Sequence, residues 1–296
     1  MTKKIPVILH TDIGSDIDDS WALLMLLRQN WLDLKYVLCD TGDVRYRAEL
    51  TAASIEAFGR NDIPVGMGVG SDAVTTCLPV LEGYDVSAYK GGIIEDGIAK
   101  FIEVVRNSEE TVTLLSIGPA PAIKAALEIA PEIASKVRFV GMFGSYKVGY
   151  RGNPEIAAEY NVVHDIAAAE FVLSAPWQEM VITPLDSCGL IKLDGEHYKR
   201  LENAENPAVK ALLEHYRVWR KYFGHPEVVE ESSVLFDTVA VHLVSSTEYL
   251  EMQEVRLAVD DKGYTVESAD APVMKVAVGW KDLDSYKDFL TDTLLA

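Results

Sequence analysis

The sequence has few cysteines, no long apolar run and a shortage of positive charge, and each of these excludes a class of protein. Three cysteines in 296 residues are too few for a disulfide framework or a cysteine-rich metal site. No segment reaches the roughly 18 uninterrupted apolar residues that a membrane helix needs. The 27 basic residues against 46 acidic ones give a formal charge of -19, which repels phosphate backbones and anionic lipids. Nucleic acid and membrane are therefore excluded as partners, and a neutral or cationic small molecule is expected.

The N-terminal stretch, MTKKIPVILHTD, differs from a secretory signal. Two lysines precede an apolar run that is too short for a signal core and that ends in an aspartate. The three cysteines, Cys39, Cys77 and Cys188, are scattered and are expected to be reduced and buried. Together these features predict a cytoplasmic protein.

Hydrophobic residues make up 49% of the chain and follow a regular alternation. The runs IPVILH, LKYVLC, TVTLLSIG and VRFVGMFG are typical of buried strands, and stretches such as DDSWALLMLLRQN and RAELTAASIEAFGRN are typical of helices. This alternation predicts an α/β fold with a mostly parallel, doubly wound open sheet covered by helices on both faces. Ligands of such sheets bind at the carboxyl ends of the strands.

The pattern changes after Asp186. A polar, aromatic-rich helical region, EHYKRLENAENPAVKALLEHYRVWRKYFGH, is followed by a further helix from about Phe236. A small hairpin around Asp261-Lys262-Gly263, one more strand and a terminal helix complete the chain. Because no internal repeat, low-complexity tract or linker interrupts the sequence, we expect one domain over residues 1–296.

The segment HTDIGSDIDDSWALL places four aspartates, Asp12, Asp16, Asp18 and Asp19, between the first strand and the first helix. One or two would be enough to cap a helix and to favour its positive end. Four carboxylates in one loop repel one another unless a cation lies among them, and hard oxygen ligands suit Ca²⁺ or Mg²⁺. The cluster therefore predicts a metal site, with helix capping as the alternative interpretation.

This segment resembles the N-terminal motif of the inosine-uridine-preferring nucleoside hydrolase family, D-x-D-x-G-x-D-D, with two extra residues after the glycine. Further similar segments follow in the family's order: LCDTGDVRYRA, TLLSIGPAPAI, FVGMFGSYKVGYRGNPEIAAEYNVVHDIAAA and LFDTVAV. The resemblance implies a nucleoside hydrolase fold and Ca²⁺-dependent hydrolysis of the N-glycosidic bond of ribonucleosides to ribose and free base. It also implies a homo-oligomer, either a dimer or a tetramer.

The resemblance assigns roles to individual residues. Asp12, Asp19 and Asp237 would bind Ca²⁺ together with the backbone carbonyl of Ile117, and Asp12 would also accept a proton from the attacking water. A ring of carboxylates would favour the positive charge that develops on the ribose. The implied sugar contacts are Asp18 at the 2′-hydroxyl, Asn153, Glu159 and Asn161 at the 3′- and 5′-hydroxyls, Met142 against the ring, and Asp43 in an orienting role.

Several positions differ from the family pattern. Many members have a histidine just before the last metal-binding aspartate, associated with protonation of the leaving base, but here the residue is Phe236; a second family histidine falls at Ile93. Leaving-group activation must then come from elsewhere, and we predict that the segment from Tyr216 to His225, above all Trp219, stacks on the base. Packing of this helix onto the core is the alternative. His10 replaces the first aspartate of the motif and is expected to be a core residue with its hydrogen bonds satisfied.

Two other functions are compatible with part of the pattern. A phosphohydrolase of the haloacid-dehalogenase type also begins with strand-terminal aspartates, but its nucleophile would fall where His10 stands. A non-catalytic ribose or nucleoside-binding protein would keep the metal and sugar pocket without leaving-group chemistry, and Phe236 and Ile93 support that alternative. The sequence leaves the preferred base open.

Overall fold

A computed structural model describes residues 3–72, 74–226 and 228–296 of the chain. The strands are β1 Ile5–Thr11, β2 Leu32–Cys39, β3 Val65–Met67, β4 Ile93–Ile94, β5 Val112–Ser116, β6 Val137–Met142, β7 Glu179–Thr183, β8 Leu250–Val259, β9 Thr265–Glu267 and β10 Val273–Trp280. The α-helices are α1 Asp18–Arg28, α2 Val44–Ala57, α3 Gly97–Asn107, α4 Pro121–Ile129, α5 Tyr160–Val163, α6 Ile166–Ser174, α7 Leu185–Cys188, α8 Gly195–Glu202, α9 Pro207–Tyr222, α10 Phe236–Leu243 and α11 Leu283–Leu295. Short 3-10 helices lie at Leu78–Leu81, Val86–Ala88, Pro131–Lys136 and Tyr150–Gly152.

The strands form one sheet in the order β4-β3-β2-β1-β5-β6-β7-β10-β8-β9. Strands β1 to β7 and β10 pair in parallel, while β8 and β9 add antiparallel pairs at one edge. The chain first builds outward from β1 to β4 and then returns to β5 on the other side of β1. This reversal opens a crevice at the carboxyl ends of β1 and β5, where ligands of open α/β sheets bind. The predicted doubly wound sheet is confirmed.

Helices cover both faces of the sheet, and an apolar core lies beneath each layer. One core contains buried side chains of α1, α2, α9, α10 and α11, and the other contains those of α3, α4 and α6. The central strands are buried on both faces, as the burial of all five residues of β5 shows. This explains their continuous apolar sequences, because a sheet covered on both sides has no solvent-facing alternation.

The predicted C-terminal elements are also present. Strands β8 and β9 pair antiparallel, and the turn between them contains Gly263 at φ 81°, which favours glycine. The three cysteines are unpaired and buried, as expected. Within the described ranges, no helix is long and apolar enough to cross a membrane.

Candidate active site

The aspartate loop lines a cavity of about 530 Å³ at the carboxyl ends of the central strands. The loop follows β1, and its last two aspartates form the first turn of α1, at the positive end of that helix. Gly14 gives the loop its shape: its φ is 98°, and an added Cβ would lie 2.7 Å from the Tyr46 ring. The cavity is lined by Asp12, Ser15, Asp16, Asp18, Asp19, Val74, Ile117, Met142, Tyr150, Glu159, Tyr160, Asn161, Trp219, Phe223, Phe236 and Asp237.

Three carboxylates in this cavity come close enough to share one cation. Asp18 and Asp19 from α1 and Asp237 from the first turn of α10 each offer an oxygen, and these oxygens lie within 4.8 Å of one another. The backbone N–H of Asp237 donates a hydrogen bond to Asp18 Oδ2 at 3.3 Å, which links the two helix starts. Asp12 lines the same cavity but lies outside this group of three, so the grouping differs from the predicted set of Asp12, Asp19 and Asp237.

Burial and mutual repulsion make these carboxylates hard to ionise. Asp12, Asp18, Asp19 and Asp237 are only 3–5% exposed. Burial raises the pKa of Asp18, Asp19 and Asp237 well above the usual range, and repulsion from neighbouring aspartates raises it further. The pKa of Asp12 is also raised by burial, although Arg47 and His10 oppose the rise. A bound cation would remove this conflict, because opposite charge favours the ionised form.

Arg47 is a buried cation that holds the loop from behind. It lies on α2, is 1% exposed, and donates hydrogen bonds to the carbonyls of Thr41 and Ile13 and to Ser15 Oγ, each at 2.8 Å. It also donates to the carbonyl of Asp12, and one of its nitrogens lies 3.9 Å from Asp12 Oδ2. Arg47 thus fixes the path of the loop with its hydrogen bonds and offsets part of its negative charge.

Glu159, Asn161 and Met142 form an opposite wall with Ile117. The Glu159 carboxylate accepts hydrogen bonds from the backbone N–H groups of Gly144 at 2.9 Å and of Asn161 at 2.8 Å, so that it caps α5. The Asn161 amide donates to the carbonyl of Met142 at 3.0 Å and is 3.4 Å from that of Ile117. Burial raises the pKa of Glu159 to about 7. These contacts hold a carboxylate and an amide at fixed positions facing the aspartate loop.

His10 is a core residue, as predicted. Its Nδ1 lies 2.9 Å from Ser116 Oγ and its Nε2 lies 3.0 Å from Asp40 Oδ2, and all three side chains are fully buried. Asp40 also accepts hydrogen bonds from the backbone N–H groups of Thr41, Val69 and Ala122. The group resembles a catalytic triad in composition only, because burial denies it a substrate. It instead ties together the ends of β1, β2 and β5 beneath the cavity.

Two residues assigned to the sugar lie outside the cavity. Asp43 is exposed and caps α2, accepting the backbone N–H of Tyr46 at 3.0 Å. Asn153 is also exposed, and its side-chain oxygen accepts the N–H of Glu155 at 3.1 Å. Both side chains satisfy local backbone donors, which is the usual role of Asp and Asn at turns and helix starts. Neither is among the residues that line the cavity.

Trp219 and Phe236 form an aromatic wall of the cavity with Tyr150 and Phe223. The Trp219 indole N–H donates to the carbonyl of Ser15 at 3.1 Å, so α9 is tied directly to the aspartate loop. The rings of Tyr216 and His225 lie nearly parallel to Trp219, with centroids at 6.0 and 5.6 Å. Base stacking on Trp219 would therefore compete with contacts that the ring already makes.

Beyond this wall lies a second cavity of about 1140 Å³. The two cavities share Asp16, Tyr150, Trp219 and Phe236. Asp16 is exposed at this boundary and faces both cavities. Asp16 therefore lies next to the aromatic wall.

Two residues of the site, Arg47 and Tyr150, were not predicted from the sequence. Arg47 shares one face of α2 with Leu50, Thr51 and Ser54, all of which are buried, and this helical spacing was a signal of its burial. Tyr150 gave no comparable signal, because it begins a 3-10 helix of only three residues, too short to show a periodic pattern. Its hydroxyl accepts the backbone N–H of Tyr160 at 3.0 Å, and its ring meets the Phe236 ring edge-on at 6.2 Å.

Known proteins share both this sequence pattern and this fold. The family model described as inosine-uridine preferring nucleoside hydrolase matches residues 7–287. Among curated relatives, the non-specific ribonucleoside hydrolase RihC of Salmonella newport (strain SL254) is 28% identical over 229 residues, covering 73% of this chain and 73% of that protein.

Among solved structures, the plant nucleoside hydrolase PpNRh1 aligns with a TM-score of 0.79 at 20% identity, covering 99% of both chains. The inosine-uridine preferring nucleoside hydrolase of Bacillus anthracis aligns with a TM-score of 0.77 at 22% identity, covering 98% of this chain and 99% of that one. These two structures share the fold. Because the family model covers nearly the whole chain, the chain belongs to the inosine-uridine preferring nucleoside hydrolase family, a family of glycosidases.

Proposed function

We propose that this protein hydrolyses the N-glycosidic bond of ribonucleosides, giving ribose and the free base, with Ca²⁺ as its cofactor. The observation that carries the proposal is the meeting of four buried aspartates with Met142, Glu159 and Asn161 around one cavity. The family to which the chain belongs, and relatives such as RihC, support the same reaction.

The donor set fits a hard divalent cation. The oxygens of Asp18, Asp19 and Asp237 lie within 4.8 Å of one another, and the Ile117 carbonyl and Asp12 belong to the same cavity. Following the resemblance to the family, we assign Asp12, Asp19, Asp237 and the Ile117 carbonyl to the ion and leave Asp18 for the sugar. Hard oxygen donors from separate elements suit Ca²⁺ and leave positions for substrate hydroxyls. When bound, the ion would supply positive charge that makes a water more acidic.

Asp12 accepts the proton of the attacking water in this proposal. Arg47 holds the backbone of Asp12 in place, so the carboxylate has a fixed direction toward the cavity. As the bond to the base breaks, positive charge develops on the ribose, and the surrounding carboxylates stabilise it electrostatically. Proton acceptance and charge stabilisation thus come from the same loop.

The sugar contacts that the structure supports are Asp18, Glu159, Asn161 and Met142, since all four line the cavity. Buried groups that bind hydroxyls discriminate strongly against substrates that lack them, because the groups are then left unpaired. Ribonucleosides should therefore be preferred over 2′-deoxyribonucleosides. Trp219 remains our proposed contact for the base, although its ring already has neighbours.

Measuring ribose release from a panel of purine and pyrimidine nucleosides, together with 4-nitrophenyl riboside, tests this function. We expect turnover that depends on added Ca²⁺ and that falls for 2′-deoxynucleosides. Phe236 favours one alternative, a nucleoside-binding protein without catalysis, because phenylalanine cannot donate a proton. Saturable nucleoside binding without turnover of the nitrophenyl riboside would support that alternative and contradict the proposed hydrolysis. Cytoplasmic location and a homo-oligomeric state stay predictions.

A further inference from the structure

The aromatic wall of the cavity has little means of protonating a departing base. Among the described residues that line the first cavity there is no histidine, lysine or arginine. The second cavity, on the other side of the wall, is lined by Arg151, Lys192, Arg220 and His225. The Trp219 N–H is already donated to the Ser15 carbonyl. Burial raises the pKa of the Tyr150 and Tyr160 hydroxyls, so both hold their protons more firmly than a free tyrosine. A base that leaves as an anion would receive weak acid catalysis here.

The cavity is instead rich in carboxylic acids. Six of its lining residues are carboxylic acids: Asp12, Asp16, Asp18, Asp19, Glu159 and Asp237. Arg47 stands behind the loop, where carbonyls and Ser15 occupy its guanidinium. Three of the acids form the group that could share a cation, and Asp16 is outside that group. Asp16 is also outside the set of metal donors proposed above. Its Oδ1 accepts the backbone N–H of Ile17 at 2.7 Å, while the residue lines both cavities.

Asp16 lies where the leaving group would meet the aromatic wall. It shares the boundary between the two cavities with Tyr150, Trp219 and Phe236. Aromatic faces attract cations, and a nearby carboxylate adds to that attraction. A carboxylate next to several rings is therefore a recognition site for a flat ring that carries positive charge.

We propose that the preferred substrates are N-ribosides whose leaving group is positively charged before the bond breaks, such as pyridinium ribosides, and that Asp16 recognises this charge. The inference rests on the proposed hydrolysis and names the substrate class for the same site. Asp16 acts as a specificity residue, and the chemistry at the sugar remains that assigned to Asp12.

The reaction balances without an acid at the leaving group. A water oxygen forms a bond to C1′ of the ribose and gives one proton to Asp12. The C1′–N bond breaks, and its electron pair passes to the ring nitrogen and cancels the positive charge. The products are ribose, a neutral pyridine and one proton. Such a reaction does not need a histidine at position 236, where this chain has Phe236.

The test compares kcat/KM for nicotinamide riboside, uridine, inosine and 4-nitrophenyl riboside in the wild-type protein and in Asp16→Asn. We expect the pyridinium riboside to exceed uridine and inosine by at least about 10-fold. Asp16→Asn should lower its kcat/KM by about 10-fold or more, since a loss of about 1.4 kcal/mol of charge interaction gives that factor. The uncharged nitrophenyl riboside should change by less than about 3-fold.

Two further variants make the result specific. Asp16→Glu keeps the charge and should retain most of the preference. Asp270→Asn is the matched control, because it removes a carboxylate from an exposed residue outside the cavity and should change none of the four rates. Thermal unfolding of each variant verifies that it folds.

The outcomes separate this inference from the proposed function. If the nitrophenyl riboside and uridine are hydrolysed but nicotinamide riboside is slower than uridine, the inference is wrong and the proposed function stands. An equal loss on charged and uncharged substrates in Asp16→Asn would also overturn it, because Asp16 would then only order the loop. If no riboside is hydrolysed, the proposed function fails first and the inference with it.

Discussion

Arg47 shows how one residue can support an acidic site. Its guanidinium donates to three backbone carbonyls and to Ser15 Oγ while it lies 3.9 Å from an Asp12 oxygen. A planar guanidinium can make all of these bonds at once, whereas a lysine could not. The loop therefore owes its fixed shape to a residue that contributes no atom to the lining of the cavity.

At the residue scale, we predict that Asp12→Asn lowers hydrolysis by at least about 100-fold, the contribution usual for a positioned base. Asparagine keeps the size of the side chain but cannot accept the proton from water, and it removes one negative charge next to Arg47. The measurement is kcat for ribose release from the best nucleoside, with Asp270→Asn as the matched control. Near-normal turnover in Asp12→Asn would contradict the proposed mechanism.

At the element scale, α9 and α10 bring distant segments to the loop. Helix α10 presents Phe236 and Asp237 at its first turn, and α9 reaches the loop through the Trp219 N–H at 3.1 Å. Residues that are more than 200 positions apart thus meet Ser15 and Asp18. The site depends on the packing of these helices as much as on the residues they carry.

Trp219 connects this packing to the substrate. We predict that Trp219→Ala slows natural nucleosides at least about 10-fold and slows the nitrophenyl riboside less, because a good leaving group needs little help from stacking. Trp219→Phe keeps an aromatic face and removes only the N–H, so it should lose about 1 kcal/mol of stability with a smaller kinetic effect. Equal kinetic losses on both substrate types in Trp219→Ala would assign Trp219 to packing alone.

His242, at the far end of α10, makes this helix sensitive to acid. Its ring lies among Tyr249, Tyr286 and Phe289, and burial lowers its pKa to about 4. His242 binds a proton more tightly in the unfolded chain than in the folded protein. The stability that comes from burying its neutral ring is therefore complete above about pH 6.5 and is lost as the pH falls toward about 4.

We therefore predict that His242→Phe is more stable than the wild type at about pH 5, by about 2 kcal/mol, relative to their difference at about pH 7.5. Phenylalanine keeps the ring contacts but cannot be protonated. The measurement is the free energy of unfolding in urea at both pH values. His215, whose pKa burial also lowers to about 4, should retain its own acid response in the variant. A pH dependence identical to that of the wild type would refute the role of His242.

At the scale of the whole molecule, the buried aspartates repel one another in a protein whose formal net charge is already -19. Their raised pKa values mean that the folded protein binds protons more tightly than the unfolded chain. Stability without metal should then fall as the pH rises, since ionisation occurs more readily in the unfolded state. Above about pH 6.5 the buried histidines no longer oppose this trend.

We predict that the melting temperature of the chelator-treated protein falls between about pH 6.5 and about pH 8, and that Ca²⁺ raises it more at the higher pH. When the free Ca²⁺ concentration is 100 times the dissociation constant, binding stabilises the folded protein by about 2.7 kcal/mol. Thermal unfolding with and without Ca²⁺ is the measurement, and Asp237→Asn should weaken the response. A melting temperature that does not respond to readdition of Ca²⁺ or Mg²⁺ would count against the metal site.

The pattern of residues along the chain is enough to predict the alternation of strands and helices, the position of the aspartate loop after β1 and the two-sided burial of the sheet. These follow from local periodicity and from the order of the segments, which the chain carries explicitly. It also indicated which aspartates would be neighbours, because Asp18 and Asp19 open one helix.

Packing between distant segments sets which side chains face the cavity. It placed Arg47 behind the loop and brought Tyr150 against Phe236. The hydrogen bonds of Asp43 and Asn153, in contrast, come from donors two or three residues away. The positions of Arg47 and Tyr150 depend on contacts between residues far apart in the chain, where a side chain with two possible partners takes the one that packing presents. No local pattern contains that information, because the competing partner lies on another element.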